Sequence, residues 1–258
     1  MKKEFRIFCT ALMFYTRFPC KVKLNFSDEM LRNSVRYFPL IGLITGGLTA
    51  SVFYAAVSFL TAETAVLLSV GTGIVFTGAF HEDGLADTAD GLGGGWNKEQ
   101  ILEIMKDSRI GTYGVIALLG VLALKFYALS DILPSSGYRT GFLILAGGHA
   151  VSRWTAVVTM LELPYVREDA LSKVKPVVRN GVKAKSKNFV AASIFALLPL
   201  VFYLPLLFLL VPVFVVQRLL SRLYRQKIGG YTGDTLGAMQ QITEITFYLS
   251  ALSLWKFM

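Results

Sequence analysis

The sequence is poor in the residues that soluble enzymes rely on. Only 17% of its 258 residues are charged, against about a quarter in an ordinary soluble domain. The hydrophobic set makes up 54%, and mean hydropathy is +0.55. That balance excludes a soluble globular protein, while 19 Phe, 11 Tyr and long aliphatic runs exclude a disordered one. Cysteine and histidine are scarce, two of each. Cys9 and Cys20 match no metal or redox spacing, and His81 and His149 are too few to build a zinc site. No glycine run ends in the Lys-Ser/Thr of a P-loop, which leaves ATP binding unsupported. No basic module interleaved with aromatics argues for nucleic acid, and no internal repeat argues for a transporter.

What is present is apolar sequence in span-sized blocks. A membrane-spanning helix needs roughly 20 apolar residues. Such runs cover 37–60, 64–80, 113–133, 140–161, 189–217 and 236–256. They predict an all-α, polytopic integral membrane bundle of about six to seven spans, in a single domain of residues 1–258. The run 189–217 is ambiguous: one continuous helix would be about 43 Å long, more than a hydrocarbon core of about 30 Å takes without steep tilt. Pro199, Pro205 and Pro212 interrupt it, so two short antiparallel helices turning near Tyr203 to Pro205, or a re-entrant hairpin, fit better. The N-terminal stretch is basic and then apolar, but Arg17 interrupts it and no cleavage pattern follows, which suggests a retained amphipathic segment at the interface.

The net charge of +9 follows the same segmentation. If 189–217 returns to the side on which it starts, segments 1–36, 81–112, 162–188 and 218–235 share one face and hold 22 of the 26 Lys and Arg. Basic loops stay in the cytoplasm, so the N-terminus is expected inside and the C-terminus outside.

Polar chemistry gathers in three places. His81-Glu-Asp-Gly-Leu-Ala-Asp-Thr-Ala-Asp-Gly91 carries Asp83, Asp87 and Asp90 at spacings of four and three, which a continuing helix would align on one face. Stacked carboxylates repel unless a cation sits among them, and oxygen-only ligands suit Mg²⁺ or Mn²⁺. The small residues between them leave room for a substrate or a close helix, and the glycine run 91–95 offers either backbone donors for phosphate or a flexible linker. An amphipathic surface helix then leads into Lys106-Asp-Ser-Arg109. There Asp107 could add a metal ligand while Lys106 and Arg109 balance phosphate, or the charges could simply pair locally. The third cluster, Gly229-Gly-Tyr-Thr-Gly-Asp-Thr235, sets Gly230, Thr232 and Asp234 at a helix start, as an anion or metal contact or as a cap. Gln240, Gln241 and Glu244 lie beyond it inside an apolar run, where a carboxylate is a functional candidate by default, with Arg153 as its partner or as a phosphate anchor.

Together these segments resemble the cobalamin synthase family of adenosylcobinamide-GDP ribazoletransferases. The resemblance rests on Thr16-Arg-Phe-Pro19, Arg36-Tyr-Phe-Pro-Leu-Ile-Gly42, the 81–91 stretch, Ile104-Met-Lys-Asp-Ser-Arg-Ile-Gly-Thr-Tyr-Gly114 and 229–237, in the expected order. Glu82 departs from it, at a position where the family has an apolar residue. The resemblance implies a Mg²⁺-dependent membrane transferase, with Mn²⁺ as a substitute. It would join α-ribazole or its 5′-phosphate to adenosylcobinamide-GDP and release GMP. On this reading Asp83, Asp87, Asp90 and Asp107 hold metal, and His81 accepts a proton or positions the site. Lys106, Arg109, Arg153, Gly230, Thr232 and Asp234 contact substrate. Membrane lipids, a second copy of the chain or other nucleotide-loop enzymes are the expected partners. CDP-alcohol phosphatidyltransferases also cluster aspartates near a helix end, but at a different spacing. A cation transporter would hold its carboxylates near midplane rather than at one face.

Overall fold

The computed structural model describes residues 3–20, 28–167 and 187–256. Expectations for the basic residues at 21–27 and 168–186 lie outside the described residues. In chain order the elements are α1 (Lys3–Tyr15), α2 (Asp28–Ser34), a 3₁₀ turn (Val35–Tyr37), α3 (Phe38–Ala56), α4 (Ala62–Thr77), α5 (Phe80–Gly94) and α6 (Lys98–Ile104). There follow α7 (Thr112–Glu162), α8 (Lys187–Val201), a 3₁₀ segment (Leu204–Leu209), α9 (Leu210–Ile228) and α10 (Gly233–Trp255). Among the described residues the only β feature is a parallel bridge between Tyr165 and Tyr231.

Helix α7 is two helices. Its 51 residues would extend about 76 Å if straight, but Gly137 has φ 70° and ψ 163°, outside helical space and in a region that favours glycine. Pro134 removes a backbone donor one turn earlier, and Tyr54 Oη donates to the exposed Gly137 carbonyl at 3.2 Å. The arms then fold back on each other. Lys125 and His149, equally far before and after Gly137, reach the same Glu244 carboxylate at 2.9 and 3.2 Å. The two arms therefore correspond to the separate apolar runs 113–133 and 140–161.

The ambiguous run 189–217 also reverses. Ser193, early in α8, accepts from Trp154 Nε1 at 3.0 Å, and Leu200 packs at Gly147. After the 3₁₀ segment, Gln217 and Ser221 of α9 lie against Thr159. The chain runs along the second arm of α7, turns at 202–209 and returns, because Tyr203 is extended (φ −150°) and Pro205 starts the 3₁₀ segment. Unlike the run read from sequence, α9 continues to Ile228, so Arg218, Arg222, Arg225 and Lys227 are helical.

The apolar run 64–80 is shorter than expected as a helix. Helix α4 stops at Thr77, Gly78 and Ala79 take left-handed conformations (φ 68° and 57°), and α5 leaves at 87°. Among the described residues three stretches are long and apolar enough to cross a membrane: Glu29–Ala56, Thr112–Glu162 and Leu204–Ile228. The bent pair α4–α5 reaches that length and hydropathy only when its two helices are taken together. Large apolar side chains stand exposed on several helices, among them Leu67, Val75, Leu119, Ile194, Val211 and Leu219. Contiguous outward apolar surface is the mark of a protein solvated by lipid. Helix α3 lays Gly42 and Gly46 directly on the backbone of His149 and Ala146, the close crossing that small residues four apart permit between apolar helices. Apolar clusters fill both ends of the bundle, one around Phe53, Leu129, Leu145 and Phe247, the other around Tyr15, Phe38, Met160 and Met239.

Candidate active site

The bend at Gly78 and Ala79 aims the acidic helix α5 across the start of α10. Gly84 meets the backbone of Asp234 and Gly237 there. A Cβ on Gly84 would sit 2.8 Å from the Asp234 carbonyl oxygen, and Gly237 closes the contact from the other side against His81 and Gly84. The small residues in 81–91 thus serve a helix crossing. The glycine run is likewise neither a phosphate loop nor a linker: Gly91 to Gly94 are helical, and Gly91, Gly93 and Gly95 abut Met105, Tyr113 and Ile101.

Within α5 the three aspartates have different surroundings. Asp90 is buried and accepts from the backbone N–H of Gly111 at 2.7 Å and of Gly114 at 2.8 Å. The N-cap of α7 is Gly111, which has no side chain to cap with, so Asp90 supplies that anion from another helix. Asp83 is exposed and Asp87 half-buried. Burial of the Asp87 carboxyl first, then the nearby charges of Asp234 and Asp83, push it up to about 7, against the pull of Arg167. Burial also raises Asp234, although Arg167 Nη2 binds its carboxylate at 2.8 Å and the Thr232 hydroxyl donates to it at 3.4 Å. Among the described residues Arg167 is thus the one cation drawing on Asp87 and Asp234, with Asp83 close enough to add its negative charge to theirs. No three His, Cys, Asp or Glu side chains among the described residues already converge tightly enough to hold a metal ion.

Other expected site residues fall elsewhere. Asp107 pairs with Arg109 through three hydrogen bonds, the shortest 2.6 Å, in an exposed loop, and Arg109 holds its carboxyl down at about 2. This is local pairing of neighbours. Lys106 is exposed beside them. Thr232 caps α10 in a reciprocal capping box with Thr235, and Gly230 packs so closely on the Pro164 carbonyl that no side chain fits. That contact carries the Tyr231 N–H to Pro164 O bond at 2.9 Å, which ties the end of α7 to the start of α10. Arg167, which brings a positive charge to the carboxylates, went unnoticed in the sequence because nothing in its loop distinguishes it.

Arg153 and His81 belong to the interior. Arg153 is 1% exposed; it donates to the His149 carbonyl at 2.9 Å and lies 4.0 Å from Glu244. Glu244 is also bound by Lys125 and His149 and by Gln240 Nε2. Lys125 donates to Gln241 at 2.7 Å, and Gln241 donates to Glu82 at 2.9 Å, which links this buried network to the first turn of α5. The network lines a small polar cavity of about 20 Å³ that also touches His81 and Tyr248. His81 stacks on Phe38 with ring centroids 5.8 Å apart, and its Nε2 is buried without a partner among the described residues. Lys125 and His149 were missed as members, though a lysine and a histidine inside apolar runs were the available signal.

Comparison with known proteins agrees with the motifs. The family model for cobalamin-5-phosphate synthase matches residues 7–252. The chain belongs to that family. It is 46% identical over 256 residues to the adenosylcobinamide-GDP ribazoletransferase of Shewanella amazonensis, covering 99% of this chain and 98% of that protein. Proteins of the same name from Shewanella frigidimarina and Shewanella oneidensis are 41% and 42% identical, over 97% of this chain and 95% of theirs. No solved structure matches. As a cobalamin-5-phosphate synthase family member, the chain carries its acidic and IMKDSRIG motifs on α5 and on the 104–114 connection, joined by the Asp90 bonds to Gly111 and Gly114.

Proposed function

We propose that this chain is an adenosylcobinamide-GDP ribazoletransferase. A ribose hydroxyl oxygen, of α-ribazole or of α-ribazole 5′-phosphate, bonds to the corrin-proximal phosphorus as the bond to the GMP oxygen breaks, and the hydroxyl proton is released with GMP. The product is adenosylcobalamin or its 5′-phosphate. The observation that carries the reading is the near full-length similarity to transferases of that name. The geometry supports it: α5 and the start of α10 bring Asp83, Asp87 and Asp234 near one another, with Arg167 the one guanidinium among them in the described residues.

Such a surplus of carboxylate oxygens fits a hard divalent cation, and Asp83 and Asp87, with Asp234 in place of Asp107, would hold it. When bound, Mg²⁺ or Mn²⁺ would neutralise the diphosphate and the departing phosphate oxygen. Arg167 keeps Asp234 oriented toward that centre. Lys106 and Arg109 stand exposed to meet phosphate from the loop before α7, and Asp90 fixes that loop by holding both N–H groups of its glycines. His81 is best read as a positioning group, since it faces the interior network through a stack on Phe38. Arg153 anchors Glu244 rather than phosphate.

We place α3, α4, both arms of α7, α8, α9 and α10 across the membrane as seven spans in one domain. The N-terminus, the carboxylate face and 22 of the 26 basic residues then lie in the cytoplasm. Association with a second copy or with other enzymes of nucleotide-loop assembly belongs to the same reading. The test is turnover by detergent-solubilised protein given adenosylcobinamide-GDP and α-ribazole, with Mg²⁺ or EDTA, following GMP and corrinoid product. Metal-dependent product that Asp87→Asn abolishes at limiting Mg²⁺ is expected. Absence of product from folded protein in lipid, or full Asp87→Asn activity, overturns the respective part.

A further inference from the structure

The end of α7 and the last turns of α9 enclose an open cleft of about 410 Å³, lined by Glu162, Arg218, Ser221, Arg222, Arg225 and Gln226. Glu162 organises it. Its carboxylate pairs with Arg218 at 2.6 Å and accepts from Gln217 at 3.2 Å, while its carbonyl oxygen accepts from Arg225 at 3.3 Å. Arg222 lines the same cleft and has no hydrogen-bond or ion-pair partner among the described residues. Among the described residues three guanidinium groups thus face one carboxylate, a positive surplus in the concavity.

The outward side of α9 changes character along its length. Val211, Val215 and Leu219 stand exposed at helical spacing, and Arg222 and Gln226 continue the same line. An apolar stripe that turns basic within one turn belongs to a helix passing from hydrocarbon into headgroups. The Arg218 guanidinium lies 4.6 Å over the Phe214 ring, the posture of a charge reaching outward along an apolar stem. The cleft also adjoins the carboxylate face, because Pro164, two residues past Glu162, bonds Tyr231 at the entry to α10.

We propose that this cleft binds the phosphate of an anionic phospholipid headgroup, with Arg222 as its main contact, Arg218 and Arg225 flanking it, and acyl chains along Val211, Val215 and Leu219. A soluble phosphate would share the arginines but not the apolar stripe, and the stripe decides for lipid. The bound lipid bridges α7 and α9 beside the entry to α10.

The experiment uses the full-length protein, delipidated in detergent and reconstituted into nanodiscs of phosphatidylcholine containing graded phosphatidylglycerol. Binding of a labelled phosphatidylglycerol is titrated for the wild type, Arg222→Gln, Arg222→Glu, Arg225→Gln and Lys227→Gln. Each cleft arginine removed is expected to weaken binding about fivefold, and Arg222→Glu more. Lys227→Gln removes a charge from the same helix outside the cleft and is expected to bind nearly as the wild type. Millimolar inorganic phosphate or GMP is expected to leave the lipid bound. Equal losses in Lys227→Gln and Arg222→Gln would reduce the effect to diffuse surface potential and overturn the site. Displacement by inorganic phosphate, without preference for phosphatidylglycerol over phosphatidylcholine, would overturn the lipid assignment. Arg222 is exposed, so Arg222→Gln keeps the thermal midpoint of the wild type, and unchanged binding in that folded variant also overturns the proposal.

Discussion

Glu244→Gln tests whether the buried network is held together by charge. Glu244 is 2% exposed, with Lys125 at 2.9 Å and Arg153 at 4.0 Å. With an effective dielectric of about 20, these attractions amount to about 6 and 4 kcal/mol before desolvation, which offsets several kcal/mol per ion. Removing one partner of a buried pair leaves the other uncompensated and costs about 3–5 kcal/mol. Glutamine keeps the shape and an acceptor for Lys125, so a loss near the lower end, about 3 kcal/mol, is expected. Lys125→Met alone should cost a similar amount, because Glu244 then depends on His149 and the more distant Arg153. Removing both charges takes away attraction and desolvation together. The double variant should therefore fall short of the summed losses by at least about 1 kcal/mol. Reversible unfolding in mixed micelles, monitored by circular dichroism, gives all four stabilities. Single variants within about 0.5 kcal/mol of the wild type, or additive losses, would refute the argument that the charges compensate one another.

Three further predictions follow from the acidic face. Asp90→Ala should cost about 1–3 kcal/mol by orphaning the Gly111 and Gly114 N–H groups, whereas Asp107→Asn should leave the thermal midpoint nearly unchanged, its ion pair being exposed to solvent. Gly84→Leu should lower turnover by about a hundredfold while the protein stays folded, since its side chain must push α5 off Asp234 and displace the carboxylates; near wild-type turnover would show that the crossing does not set the site. In metal-free protein Asp87 titrates at about 7 when folded and near its ordinary low value when unfolded, so the folded state holds a proton that the unfolded chain releases. Stability in EDTA should fall as pH rises from about 4 to about 7. Asp87→Asn should flatten that part of the thermal-midpoint profile, and an unchanged slope would assign it to other groups.

Asp83, Asp87 and Asp90 read from sequence as one equivalent ladder, because i, i+4 and i+7 spacing reports only which side of a helix a residue occupies. Their separate roles come from what each meets across space: two glycine N–H groups for Asp90, Asp234 for Asp87, and solvent for Asp83. Asp107 instead pairs with Arg109, two residues away, in an exposed loop. Glycine motifs carry a similar ambiguity. A run such as 91–95 is equally compatible with exposed donors and with close helix packing, and only Met105, Tyr113 and Ile101 decide between them.

Some properties depend on composition and order alone. Low charge and long apolar runs indicate lipid-solvated helices, because transfer energies act on segments wherever they pack. Motif order likewise placed the chain in its family. The reversal at Gly137, the 87° turn at Gly78 and Ala79, and the meeting of Lys125, His149, Arg153 and Glu244 were decided by tertiary structure. A buried charge is tolerable only where distant residues compensate it, and a helix end is satisfied by whichever group arrives there. Both are properties of the assembled bundle, which is why Asp234 and Arg167 stand beside the acidic helix while Arg153 faces inward.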